Sequence, residues 1–323
     1  MNRPFLTRRL VFSFAAMDER HAVWMLLLAA FFWGSGNVAN KTVLQDIDPW
    51  SAVFLRSLVA ALILLPFALG ELRRRDAQQW LRSCALPSVL FALALVLQQI
   101  GYQTATVTNA SFLVNAACVL TPIIAFVVLR EKLNAPTVFA AIVMLAGAFV
   151  MSGAVSSLAA VNQGDLLCLM SAVAYAAWAV ALGRHAMRHG RPVATTLVHS
   201  ILAAALTLPL ATTVWAASAR PLIAALPEII YLGVFSTALA FLLMVAAQSR
   251  VSASVAVVLT AAESLFGAAG GILILGEAPG GTVLLGAAMM LAAIMLIAIS
   301  VARTARSSLP VVQPVDPQPR TPP

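Results

Sequence analysis

The sequence predicts an all-α integral membrane fold. It would have ten transmembrane helices, arranged as two inverted five-helix repeats with both termini cytoplasmic. Three observations predict it. The first is composition: 61% of the 323 residues are hydrophobic and 10% are charged. An ordinary soluble domain has about 45–50% apolar and about 25% charged residues. The second is length: apolar stretches recur along the chain, each near the ~20 residues a helix needs to cross hydrocarbon. The third is the placement of Lys and Arg, which fall between those stretches on alternate connections. Strands of a membrane barrel would be about 10 residues long and would alternate in polarity, and no stretch does.

The elements follow in order. Residues 1–21 form a basic, weakly apolar leader, read as cytoplasmic, with Met17 as a second candidate start. Spans are expected near 22–40, 49–69, 85–104, 109–129, 135–152, 164–183, 193–214, 228–248, 252–275 and 280–301. Connections such as "LREKLNAP" and "QSRVS" force antiparallel neighbours. Residues 302–323 are Pro-rich and read as a disordered tail. With the N-terminus inside, 17 of the 20 Lys and Arg residues fall on cytoplasmic segments. Lys41 and Arg220 face the other side, and Arg56 lies within span two. A missed span would mix the two classes, so the split supports both the span count and the orientation.

Several function classes fall away. The net charge of +8 sits in short clusters that flank spans, with no basic face and interleaved aromatics for nucleic acid. Cys84, Cys118 and Cys168 have no CxxC spacing and read as small buried hydrophobes. The histidines make no HExxH pattern, so no metal site is expected. GxxxxGK[ST] is absent, so no ATP site is expected, and no cofactor is called for. No catalytic constellation of His/Asp or clustered carboxylates points to an enzyme.

The halves echo each other at a shift of about 145 residues. Trp33 falls on Trp178, and Gln103 on Gln248. "LREKLNAPTVFAAIVMLAGAF" corresponds to "LGEAPGGTVLLGAAMMLAAIM", with Glu131 opposite Glu277. The repeats are expected over 22–152 and 164–301. Five spans is an odd number, so the halves must have opposite topology. Inverted repeats are a common carrier architecture, with a solute site at their interface near the midplane.

Five segments carry a resemblance to a known family: "FFWGSGNVANK", "FLRSLVAALILLPF", "TNASFLVNAACVLTPIIAFVVLREKL", "GDLLCLMSAVAYAAWAVALGRHAM" and "LGVFSTALAFLLMVAAQSRVSASVAVVLTAAESLFGAAGGILILGE". Over residues 22–301 the chain resembles the drug/metabolite transporter superfamily, in its ten-helix EamA-type branch. The resemblance implies an inner-membrane carrier of a small metabolite. One group of such proteins exports aromatic and neutral amino acids. It also implies a central site lined by spans one, three, four, six, eight and nine. A small amino-acid-like solute and the lipid bilayer are the expected partners. A monomer is the expected functional unit, with a dimer left open. Family members often carry Glu-Pro where this chain has Glu263-Ser264, so the acid is kept and the kink residue is lost.

Candidate substrate-binding residues follow from the cost of polar groups in hydrocarbon. An acid at a helix centre costs about 2.5–3.5 kcal/mol on insertion scales. Glu263, halfway along span nine, must therefore face the bundle interior, either towards a solute ammonium or a proton or as a helix lock. Trp33, Asn37 and Asn40 share one face of span one. An indole beside an amide suits stacking on and hydrogen bonding to a small solute. Tyr175 and Trp178 hold the equivalent place in span six. Span three ends "LQQIGYQT", where Gln98 and Tyr102 share one face and Gln99 lies on the next; Tyr102 also suits an interface anchor. Asn115 lies deep in span four and needs a partner.

Other signals read as structural. Arg56 is expected to pair with an acid or to snorkel outward, with direct contact to the solute as the lesser alternative. Ser236 and Thr237 are expected to bond their own helix backbone. Pro122 is expected to kink span four. Glu131 and Glu277 are expected to cap or pair near the interface, and His199 to be packed.

Overall fold

The computed structural model describes residues 18–74, 76–152, 162–216, 219–275 and 280–307. Glu277, the leader before residue 18 and the tail after residue 307 lie outside these. The described residues are helical throughout, joined by turns. α1 (Glu19–Thr42) starts at Asp18, whose carboxylate accepts from His21 N and satisfies a first-turn donor. A 3₁₀ turn, Val43–Gln45, leads to α2 (Pro49–Leu72). α3 spans Ala77–Gly101, and the ammonium of Lys41 caps its end by donating to the Tyr102 and Ala105 carbonyls at 2.6 and 2.9 Å.

Span four is two helices, α4 (Val107–Val114) and α5 (Ala117–Leu129). α6 (Ala135–Ser152) completes the first five. α7 (Gln163–His189) opens with a reciprocal capping box between Asn162 and Asp165 and stops at Gly190, whose left-handed φ of 54° suits glycine. α8 (Pro192–Thr207) runs into a 3₁₀ turn and two short helices, α9 (Thr212–Trp215) and α10 (Arg220–Ala224). Span eight combines α11 (Leu226–Tyr231), a π-helical segment (Leu232–Leu239) and α12 (Ala240–Ala247). Span nine is again two helices, α13 (Ala253–Thr260) and α14 (Glu263–Leu275), and α15 (Gly281–Ser307) closes the bundle.

These elements make nine spans long and apolar enough to cross a bilayer among the described residues, and Ala253–Ala269 is a shorter apolar helix. Large apolar side chains such as Leu62, Val127, Phe139, Leu284 and Met295 point outward, which in water would be costly and in lipid is not. The most extensive packing joins the two halves: α3 on α7, α6 on α15, α2 on α8, and α1 on α12.

The backbone fixes the register of the repeat at 146 residues. In span four, Ala116 N donates to Leu113 O and Cys118 N to Asn115 O, at 3.1 and 3.0 Å. In span nine, Ala262 N donates to Leu259 O and Ser264 N to Ala261 O, at 3.2 and 3.4 Å. Thr106 and Ser252 cap the two spans in the same way. On this register Tyr102, not Gln103, stands opposite Gln248, and each is a buried C-cap of its span. The Gln103–Gln248 pairing expected from sequence was a coincidence of identity one residue out of step.

Two further expectations are corrected. Span four breaks at Asn115–Ala116, ahead of Pro122, which sits inside α5. Span nine breaks at Ala261–Ala262 although Ser264 replaces the expected proline. Both breaks show the same i→i−3 pattern, and span nine contains no proline, so proline is not their common cause.

Candidate functional site

An interior cavity lies between the halves, with ≈ 640 Å³ of space between its walls, part of it open to solvent. Of the nine expected site residues, Trp33, Asn37, Gln98, Asn115, Tyr175, Trp178 and Glu263 line it. Gln99 and Tyr102 do not. They brace residues that do: Gln99 Nε2 donates to Asn40 O at 3.0 Å, and the Tyr102 hydroxyl donates to Asn37 Oδ1 at 3.2 Å. Tyr102 is fully buried, so the interface-anchor reading of that residue fails.

The α1 face works as its spacing predicts. Trp33, Asn37 and Asn40 all reach the cavity. Trp33 Nε1 donates to Ser236 O at 2.9 Å, and Asn37 Nδ2 to Ser111 Oγ at 3.1 Å. Across the cavity the Tyr175 hydroxyl donates to Gln98 Oε1 at 2.9 Å. Phe241 joins the aromatic walls, with ring centroids 4.8 Å from Trp33 and 5.5 Å from Trp178. No sequence signal marked Phe241, because an apolar residue on an apolar helix carries no directional information. His199 is packed, as expected, with Nδ1 3.1 Å from Ser88 Oγ.

The two helix breaks meet at the cavity. Asn115 Nδ2 donates to Ala261 O at 3.3 Å and to Ser264 Oγ at 2.6 Å, so one break is tied to the other. Glu263, the first residue of α14, is 8% exposed and lines the cavity. No ion pair or hydrogen bond to its carboxyl occurs among the described residues. Its equivalent in span four is Ala117, which lines the same cavity. Gly34 of α1 lets the backbone of α14 approach. A Cβ there would fall well inside contact distance of the Glu263 carbonyl and 3.0 Å from Gly267 N.

Arg56 departs from both structural expectations. It does not snorkel, and it meets no acid among the described residues. It is 2% exposed and lines the cavity, bringing span two into the site. Its guanidinium donates to Thr237 Oγ1, Asn40 Oδ1 and Ser236 Oγ at 2.8, 2.7 and 2.9 Å. Ser236 and Thr237 therefore serve Arg56 rather than their own helix. The π turn that carries them widens the helix, a feature common at functional sites. Gly233 lets α2 in close, since a Cβ there would lie 2.6 Å from Val59 Cβ.

Among the described residues no cluster of His, Cys, Asp and Glu could hold a metal ion. Nine long apolar spans and a shorter apolar helix among the described residues, packed around a cavity, define a multi-pass membrane protein. The EamA-like transporter family model matches residues 20–153 and again 162–299, so the chain belongs to that family. An uncharacterized transporter of Archaeoglobus fulgidus is 25% identical over 279 residues, covering 85% of each chain. The uncharacterized transporter YwfM of Bacillus subtilis is 25% identical over 281 residues, covering 84% of this chain and 92% of that one. An uncharacterized transporter of Clostridium kluyveri is 23% identical over 270 residues, covering 78% of this chain and 85% of that one. A solved crystal structure superposes with a TM-score of 0.71 at 18% identity, covering 88% of this chain and 98% of the other, and supports the fold. Such bacterial and archaeal relatives imply the plasma membrane.

Proposed function

We propose that the protein is a secondary carrier that moves a small, amino-acid-like metabolite by alternating access, with the two halves (22–152 and 164–301) moving about the cavity and both termini cytoplasmic. The observation that carries this is Glu263: a buried carboxyl without a partner among the described residues, facing a cavity walled by Trp33, Tyr175, Trp178 and Phe241. A charge so placed needs a proton or a cation supplied from the cavity. A solute ammonium fits, and the aromatic faces favour it further. Trp178 adds a buried Nε1–H that has no acceptor among the described residues. Placement at breaks in two spans matches the way carriers expose polar groups at membrane depth.

A carrier of another small organic solute would use the same cavity; a channel or a membrane enzyme has less support. Uptake of radiolabelled aromatic, aliphatic and basic amino acids into proteoliposomes tests the reading at two pH gradients. Saturable uptake with counterflow is expected. Flux without saturation would indicate a channel, and turnover of the solute an enzyme. If no amino acid competes for flux, the substrate assignment is wrong while the fold stands. Glu263→Gln is expected to lower uptake by about tenfold or more, the worth of a charged hydrogen bond. Unchanged uptake and pH dependence in that variant would remove Glu263 from the site.

A further inference from the structure

The cavity contains a second buried charge, which the carrier reading does not use. Arg56 cannot shed its proton. A buried cation without a counter-ion is costly, and its three bonds here all go to neutral acceptors. A guanidinium has five N–H donors. The three bonds occupy Nε and one hydrogen on each terminal nitrogen, leaving one N–H on each. Donors left on both terminal nitrogens can hold a carboxylate with two bonds. A residue that merely fastened α2 to the π segment would not need a charge at all. The local backbone is shaped for the task, since the π segment brings Ser236 and Thr237 against Arg56 while Asn40 holds it from α1.

We propose that Arg56 is the carboxylate anchor of the cavity, so that the preferred solute carries a carboxylate, bound at Arg56, and an ammonium group, bound at Glu263, in one small zwitterion. This rests on the carrier reading above and adds its polarity. The two charged residues line one cavity without forming an ion pair with each other. A zwitterion satisfies both at once and crosses with no net charge. An amine would leave Arg56 unpaired, and a carboxylic acid would leave Glu263 unpaired. Either loss in a desolvated site costs more than the missing contact alone. Tyr175 and Trp178 would then lie against the solute side chain and select for its apolar bulk.

The test uses the full-length protein in proteoliposomes. Competition is measured between the amino acid taken up best and two truncated analogues, its decarboxylated amine and its deaminated acid. In the wild type both analogues are expected to compete at least about tenfold less well than the amino acid. Arg56→Gln should lower amino-acid uptake about tenfold, and in the uptake that remains the amine should compete about as well as the amino acid. Arg56→Lys keeps the charge but not the fork, so it should raise the apparent KM about three- to tenfold and preserve the order of preference. A wild type that accepts the amine as readily as the amino acid overturns the proposal and leaves the carrier standing. So does an Arg56→Gln protein that melts normally and still prefers the amino acid over the amine by the wild-type factor. If Arg56→Gln does not fold, the wild-type competition and the lysine variant still decide. Absence of uptake for every amino acid would overturn both the carrier's substrate class and the anchor.

Discussion

Spans four and nine follow the same backbone plan and carry different chemistry. Each is two helices with a two-residue break, and the hydrogen bonds at the breaks match at a shift of 146 residues. Span four has a proline beyond its break and an amide, Asn115, at it. Span nine has no proline and places Glu263 where span four has Ala117. The shared break is therefore a property of how the spans pack, and the acid is an addition to one half alone. Pseudo-symmetry sets the geometry, and asymmetry supplies the polarity of the site.

The largest expected effect comes from closing the gap that Gly34 leaves for α14. A Cβ at this position meets the backbone of Glu263, which cannot move aside as a side chain can. Gly34→Val should cost about 3 kcal/mol or more, at the upper end of overpacking penalties. A thermal melt of the purified protein should show a sharply lower midpoint. A normal midpoint would mean that α1 and α14 do not approach as described.

The tie between the two breaks should matter less. Ser264→Ala removes the shorter bond of Asn115 and leaves the 3.3 Å bond to Ala261 O. The expected loss is about 1 kcal/mol, read as a modest fall in melting temperature. Ser264→Pro restores the residue common in the resembling family and should melt close to Ser264→Ala. The N–H that proline lacks makes only a 3.4 Å bond here, and proline is tolerated in a first helical turn. A much lower melting point for the proline variant would show that this N–H holds the break.

The smallest effect concerns how each half starts its second span. Asp48 caps α2 locally, accepting from Trp50 N and Ser51 N at 2.9 and 3.0 Å and from Thr213 N at 2.8 Å. α8 instead borrows Glu71 from the end of α2, which accepts from Ala194 N at 2.8 Å. Partial burial pushes the Asp48 carboxyl up, but hydrogen bonds from Ser51 and Thr213 outweigh it and hold the group at about 2. A carboxyl depressed on folding stabilises the protein above its unfolded value of about 3.9. That contribution is lost as pH falls through about 2. Melting curves at pH 5 and pH 2.5 should show a smaller drop for Asp48→Asn than for the wild type. An equal drop would place the acid sensitivity elsewhere.

By itself the sequence determined the solvent, the span count and much of the α1 face. Those follow from local rules: apolar length sets a span, and helical spacing puts Trp33, Asn37 and Asn40 on one side. It also marked Glu263, because a lone acid in hydrocarbon must face inward. Only tertiary structure decided where the helices break, since proline, the one local signal, pointed to the wrong places. It alone decided the role of Arg56. A long side chain in a span can reach the interface or the core, and its direction depends on acceptors that come from α1 and the π segment. It likewise moved Gln99 and Tyr102 behind the cavity wall, because the face a residue shares does not say which neighbour that face meets. Chemistry that depends on one residue was legible in the chain. Chemistry that depends on residues 180 positions apart, as Arg56 and Ser236 are, required the fold.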